Sequence, residues 1–388
     1  MATNVYGNGV NSTAGENTIV HYYDRAGVKA ANRSSVYGQF ASRKNMPNKM
    51  GKTFKISKFL HMYDRPLDDG DFAAKGFMTA RSADEVSTAL TNASLAEGAQ
   101  DVNKRTLQKV TFETSFARYG EMIDYTDEVD LFSEDYIQVK YREELGELAN
   151  SRMEDLIQLD MLGTGTVMYS GSATSNVTVG DGIADDGTED AEWKVSYDLI
   201  RKGVRKLTRN RAKKNTSIVT GSTKIGTTPV AKSFYAIIDA DVKADLENLT
   251  RGASYEKEYV YVPAHKYAGA TQLAEGEVGS MYEVRFIESE GAVVGAGEGA
   301  AVGGSYVGDL ANDGSNFDVH YILFPTEGSF ATVGLKGQGK IKFNSKSPAS
   351  VELINPYGTQ GFFSYNFWYA GIILEEEKLL KIACAVSK

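Results

Sequence analysis

"SEDYIQVKYREELGELANSRMEDLIQLDMLGTGT", residues 133–166, is predicted to form one continuous helix over 133–162. At ~1.5 Å per residue such a rod is roughly 45 Å long, more than the width of a small domain. Ser133 is placed to cap the first free amides, and Glu134 and Asp135 suit the positive end of the helix dipole. Gly163 is expected to supply a left-handed stop. Ile137, Tyr141, Leu145, Leu148, Ala149, Met153, Leu156 and Ile157 recur at i+3 and i+4 steps, so one face should be buried along the whole length. Two features oppose the helix. Gly146 costs about 1 kcal/mol relative to Ala, and Asp155 and Asp160 lie toward the negative end of the dipole, so packing must offset both.

Upstream, "GKTFKISKFLHMYD" (51–64) sets Phe54, Ile56, Phe59 and Leu60 in imperfect alternation with Thr53, Lys55, Ser57 and Lys58, a half-buried strand. "LQKVTFETSFARYGEMIDYTDEVD" (107–130) alternates better, with Val110, Phe112, Thr114 and Phe116 against Thr111, Glu113 and Ser115. More than forty residues separate the two runs, and connections that long are usually functional. The pair reads as a projecting hairpin with its tip in 63–94, where Arg65, Asp68, Asp69, Asp71, Lys75 and Arg81 are the candidate contact residues. Two strands alone are marginal in water, so this arm requires a surface beneath it. Residues 1–48 are polar and rich in Gly and Asn, which reads as a second arm lying on something else.

Downstream, 166–325 reads as short strands with two helices, "VSYDLIRKGVRKLTRNR" (195–211) and the end of "FYAIIDADVKADLENLT" (234–250), the latter capped near Asp239 or Asp241. A Gly/Ala-rich excursion including "GAGEGAAVGG" (295–304) is placed in a surface loop, and strands resume from Phe324 to the end around an EEEK turn.

The composition excludes several classes. A chain of 388 residues with 42% apolar and 24% charged content can bury a core unaided. The single Cys384 cannot form an internal disulfide and reads as a small buried residue on the last strand. The amino terminus lacks the basic and apolar regions of a leader, and "FFSYNFWYAGIIL" (362–374) is too short and polar to span a bilayer.

A net charge of −9 argues against a protein whose main business is tight, direct contact with phosphate backbones. One cluster departs from that balance: Arg201, Lys202, Arg205, Lys206, Arg209, Arg211, Lys213 and Lys214. It reads either as a solvated helix face paired with acids or as a contact with nucleic acid or a neighbouring subunit.

Searches for chemistry find little. His21, His61, His265 and His320 are scattered with no HExxH, and there is no GxSxG. Ser254 to Lys257 is a lone SxxK, and the glycine strings 334–340 and 295–304 do not match a phosphate cradle. Asp181, Asp185, Asp186, Glu189 and Asp190 can gather around a hard cation, but Asp186 stands where a calcium loop needs its turn glycine, and a solvated loop is the simpler reading. No catalytic, cofactor-binding or metal-ligating residue is assigned, and no cofactor is expected.

Taken in order along the chain, these runs resemble the major capsid proteins of tailed bacteriophages, the Hong Kong 97-type fold, and most of all the short-tailed branch. "KMGKTFKISKFLHM" (49–62) is similar to the outgoing strand of that family's extended loop, and "LAEGAQDVNKRTLQKVTFETSFARYGEMIDYTDEVD" (95–130) to its return. "LANSRMEDLIQLDMLGTGT" resembles the end of the spine helix. "EGEVGSMYEVRFIES" (275–289) and "NPYGTQGFFSYNFWYAGIIL" (355–374) resemble a late axial strand and the closing peripheral strands. The segment 63–94 is longer than the family pattern and reads as an inserted contact element.

The resemblance implies an α+β chain with an N-terminal arm (1–48), an extended loop (49–118), a peripheral domain with spine helix (119–165), an axial domain (166–325) and closing peripheral strands (326–388). It implies a non-enzymatic structural protein that forms hexamers and pentamers in an icosahedral virion shell around double-stranded DNA, assembled in the host cytoplasm. Its expected partners are a portal protein and scaffold or decoration proteins, with no membrane and no sequence-specific DNA binding. The alternatives are a metal-dependent hydrolase using the 181–190 loop, and another virion component such as a tail or decoration protein.

Overall fold

The computed structural model describes residues 36–60, 82–95, 97–98, 107, 109–132, 137–184, 186–215, 232–251, 256–257, 274–336, 341–348, 351 and 355–388. In chain order the elements are β1 (Ser42–Met46), β2 (Thr53–Phe59), α1 (Ala83–Thr91), β3 (Lys109–Ser115), β4 (Ala117–Thr126), α2 (Asp127–Phe132), α3 (Ile137–Leu162), β5 (Val167–Tyr169), α4 (Asp190–Trp193), α5 (Tyr197–Arg209), β6 (Phe234–Ile238), α6 (Ala240–Asn248), β7 (Thr250–Arg251), β8 (Glu256–Lys257), β9 (Glu277–Met281), β10 (Val284–Glu288), β11 (His320–Phe324), β12 (Phe330–Leu335), β13 (Lys342–Lys346), β14 (Gln360–Tyr369), β15 (Gly371–Ile373) and β16 (Leu380–Cys384).

The rod is α3, 26 residues and so ~39 Å long. The expected cap Ser133, with Glu134 and Asp135, lies outside the described residues. Leu145, Ala149 and Ile157 are buried on the predicted stripe, flanked by half-buried Tyr141, Leu148, Met153 and Leu156. Met161, one turn past Ile157, extends the stripe and is also buried. Each fully buried large side chain contributes about 1.5–3 kcal/mol, enough in sum to offset Gly146, whose missing Cβ would meet nothing within 4 Å.

Two sheets supply most of the apolar surface against this helix, and a third, β1-β12-β15, adds Phe330 and Ile373 to the same cluster. One is antiparallel, in the order β13-β14-β4, and strict alternation along β14 buries Phe363, Tyr365, Phe367 and Tyr369 on the side that shares a cluster with α3. Tyr125 stacks on Phe363 at 5.3 Å in the same cluster. The other sheet runs β5-β16-β11-β6-β10-β9, with β6–β10 and β16–β5 parallel. Its central strand β6 is buried throughout: Phe234, Ala236 and Ile238 pack under α5 and α6, while Tyr235 and Ile237 join the α3 cluster. The rod therefore braces three sheets by one apolar seam.

The carboxyl end of α3 is not closed by a glycine stop. Gly163 is absent from the glycines with positive φ; its amide donates to Leu159 O at 3.1 Å. Tertiary bonds terminate the helix instead: buried Thr164 donates to Leu379 O at 2.7 Å, and Lys381 Nζ donates to Leu162 O at 3.0 Å, placing a cation on the negative end of the dipole. Asp160, in the last turn, accepts from the Tyr369 hydroxyl at 2.8 Å, yet burial dominates and holds its carboxyl above the usual range. A raised carboxyl favours folding while protonated and loses that contribution as pH rises through its native pKa. Asp160→Asn keeps an acceptor for Tyr369 and removes the charge. It should stabilise the subunit near neutral pH, by about 0.5 kcal/mol from the dipole alone, and the gain should vanish in acid; paired melts at both pH values check this.

Four further expectations are corrected by the fold. The 107–130 run is two strands, because Phe116 turns inward at 1% exposure and its amide bonds Lys52 O; β3 pairs with β2, whereas β4 pairs with β14. The arm reading of 1–48 fails from Val36 onward: Val36 and Tyr37 are buried, Glu154 on α3 accepts from the Tyr37 and Gly38 amides at 2.8 and 3.2 Å, and β1 runs parallel to β12. Residues 1–35 lie outside the described set. The Gly/Ala-rich excursion is pinned down by bridges Gly295–Val319 and Ala301–Asn316, and a Cβ at Gly299 would stand 2.7 Å from Phe317 O, so its glycine permits close packing of buried chain. Finally, β16 sits between β5 and β11, so position 325 is no division between sheets. Cys384 is buried there as expected, and burial pushes its thiol far up, out of reactive range.

Candidate interaction surfaces

The β2–β3 hairpin pairs in unbroken register from Thr53–Ser115 to Phe59–Lys109. Its two faces differ. Phe54, Ile56 and Phe112 lean on a buried cluster of Met46, Phe116, Val333 and Ile372, and Lys58 reaches Glu375 and Glu377 at 3.5 Å each. The root of the hairpin thus finds its supporting surface within its own chain, contrary to the expectation that the pair needs one from outside. The opposite face carries an exposed Lys55–Glu113 pair at 2.8 Å, whose lysine lowers the glutamate pKa, and the Ser57–Thr111 hydroxyl contact. Phe59, expected among the sheltered residues, ends the strand 61% exposed.

The candidate contacts Arg65, Asp68, Asp69, Asp71, Lys75 and Arg81 all lie outside the described residues. The end of the same segment forms α1, which the sequence reading missed although its signal is local. Ser82 accepts from the Glu85 amide at 3.2 Å, with Asp84 and Glu85 in the first turn. No residue of α1 is buried. A second uncovered element is α2, where Leu131 and Phe132 stand exposed, the latter at 78%.

The basic cluster lies on α5 and just beyond. Ser196 caps the helix by accepting from Leu199 N at 3.2 Å, and Leu199, Ile200, Val204 and Leu207 point into the core. Arg201, Lys202, Arg205 and Arg209 are consequently exposed, and Lys206 is half-buried. Arg211 adopts φ 59° just past the helix. Some of these charges are neutralised, Arg201 by Asp198 at 3.2 Å and Lys214 by Glu283 at 2.8 Å.

Among its described residues, the acidic 181–190 loop does not converge on a cation. Asp186 is spent on the Thr188 amide and hydroxyl, which lower its pKa. Asp190 is buried and accepts from the Tyr306 hydroxyl at 2.9 Å and the Asp309 amide at 2.6 Å, and Tyr306 is pushed up to about 12 by burial first and this carboxylate second. Asp185 lies outside the described residues. Asp190→Ala orphans two donors and should destabilise the subunit by about 2 kcal/mol, read from denaturant melts, with no change in divalent-metal binding by calorimetry. Among the described residues, one group brings three ligand atoms within 4.8 Å: Asp239, Asp241 and His320. Asp239 is already engaged, capping α6 by accepting from Val242 N at 2.8 Å and pairing with buried His320. That is the arrangement of a satisfied core histidine.

A scan against models of known protein families finds no match. The major capsid protein of Pseudomonas phage KPP21 is 29% identical to this chain over 392 residues, covering 95% of this chain and 93% of that protein. Among solved structures, the capsid of Ralstonia phage GP4 aligns with TM-score 0.60 at 10% identity, over 98% of this chain and 99% of that one. The cyanophage Pam1 capsid aligns at 0.56 and 12% identity over 98% and 100%, and the cyanophage P-SCSP1u capsid at 0.55 and 9% over 99% and 98%. The fold is the mixed α+β, Hong Kong 97-type capsid fold.

Proposed function

We infer that this chain is a major capsid protein of a tailed phage, many copies of which self-assemble into the virion shell. The carrying observation is the 29% identity to a phage major capsid protein across 95% of the chain, on a fold that solved capsids match end to end. Closed shells repeat a few identical contacts by rotation, and each subunit, held by several neighbours at once, gains an avidity no single contact supplies. Uncovered apolar surface on α1, α2 and the outer end of the hairpin suits such contacts, because a monomer gains nothing by leaving it in water.

In this reading the shell is icosahedral, built of hexamers and pentamers, and encloses double-stranded DNA with a portal and scaffold or decoration proteins as partners, forming in the host cytoplasm. Residues 119–165 with β12 to β15 serve as the peripheral domain with α3 as its spine, 166–325 together with β16 as the axial domain, and 49–118 as the extended loop. The subunit acts by geometry and not by catalysis. Sedimentation and electron microscopy of the full-length protein expressed alone should reveal rings, shells or tubes. A persistent small oligomer with metal-dependent hydrolysis would transfer support to the enzyme reading.

A further inference from the structure

We propose that the groove between α5 and the β9–β10 turn binds the phosphate backbone of nucleic acid, and that the enclosed duplex touches the subunit there. This rests on the shell reading above. The core fixes the geometry: with Leu199, Ile200, Val204 and Leu207 inward, Arg201, Arg205 and Arg209 line up at i, i+4 and i+8 on the outer face. Successive arginines along such a row are ~6 Å apart. Tyr282 and Glu283, the two turn residues between β9 and β10, form the opposite wall of a groove of about 550 Å³.

Charge then separates the ligand classes. The two acids at this groove are spoken for, Asp198 by Arg201 and Glu283 by Lys214. Lys202, Arg205 and Arg209 carry no ion pair among the described residues, an unneutralised positive strip on a chain of net charge −9. The rest of so acidic a surface repels a polyanion, which confines contact to the strip. Arginine forks fit phosphate and carboxylate alike. The even repeat of the row and the aromatic rim favour a linear phosphate polymer over an acidic peptide. Tyr282, 55% exposed at φ 56° and set edge-on against Tyr197 at 6.3 Å, offers a hydroxyl and a ring of the kind that contact backbone and sugar.

Fluorescence anisotropy of full-length protein with a labelled duplex, from 50 to 200 mM salt, tests the proposal. Three phosphate contacts predict a log–log slope of about −2.7, and so a loss of affinity of roughly 40-fold across that range. Arg205→Glu with Arg209→Glu should lower affinity by about tenfold or more at 50 mM salt and bring the slope toward about −1. Arg205→Gln with Arg209→Gln should fall between. Both positions are exposed, so melting temperatures should match the parent. Unchanged affinity and slope in the charge-reversed variant overturn the proposal, as does binding of polyglutamate with no binding of the duplex. Electron microscopy of the parent keeps the two inferences apart: shells without duplex binding sink the groove and leave the capsid reading, whereas absence of any assembly sinks the capsid reading itself.

Discussion

Leu145→Asp is expected to yield no folded subunit. Leu145 is 1% exposed at the centre of the seam that joins α3 to Tyr125, Phe363 and the β6–β11 face of the larger sheet. An aspartate there exchanges packing against the Tyr125 and Phe363 cluster for a buried carboxylate, and burying a charge costs several kcal/mol against a total stability of about 5–15 kcal/mol. Leu145→Ala, which leaves only a cavity, should cost about 3 kcal/mol and remain folded with a depressed melting temperature. The control is Leu159→Asp on the outer face, 54% exposed, which should melt within about 0.5 kcal/mol of the parent. Circular dichroism melts and solubility of the three variants decide it; a Leu145→Asp protein that melts like the parent would mean the rod is not anchored by this stripe.

The stripe itself is legible in the sequence because it is periodic and local, as are the two strands of the hairpin, the helix at α5 and a cap at Asp239 or Asp241, of which the structure uses Asp239. Which positions on the stripe lie deepest is not. Leu148 and Leu156 look equivalent to Leu145 by spacing, yet they are half-buried, because depth depends on where β14 and β6 cross the helix. The same limit explains Gly163. A glycine after a leucine-rich turn signals a left-handed cap, but Thr164 and Lys381 complete this end through partners more than two hundred residues away in sequence. Likewise β1 lies against β12, and nothing near Ser42 announces a parallel partner at Ala331.

The candidate surfaces divide in the same manner. Charge density alone reveals the basic face, whereas the pairing of Asp198 and Glu283 that leaves three cations unneutralised needs the β9–β10 turn in place. Asp190 reads as solvated because its donors, Tyr306 and Asp309, come from 116 and 119 residues away. The start of α1 could have been read: Ser82 and Glu85 carry the spacing of a capped helix, and only the assumption of one long loop over 63–94 hid it.

Replacing Ala83–Thr91 by nine Gly and Ser residues should leave the subunit as stable as the parent and abolish shells. The first half follows from burial: no residue of α1 is buried, so its removal takes no packing from the core. The second half follows from helix energetics. Nine residues in water are too few for a stable isolated helix, and one Ser82 cap contributes only about 1 kcal/mol. A helix that marginal, with Leu90 exposed and Leu95 exposed just beyond it, is worth specifying only where another surface covers it, and in a shell that surface belongs to a neighbouring copy. The loss at one contact is small, but every subunit loses the contact on each side, and assembly depends on their combined effect. Thermal melts should therefore coincide while sedimentation shifts from particles to small species; normal shells from the replaced chain would mean α1 is ornament to the assembly, and the stabilising contacts would then have to be sought on α2 and the outer end of the hairpin.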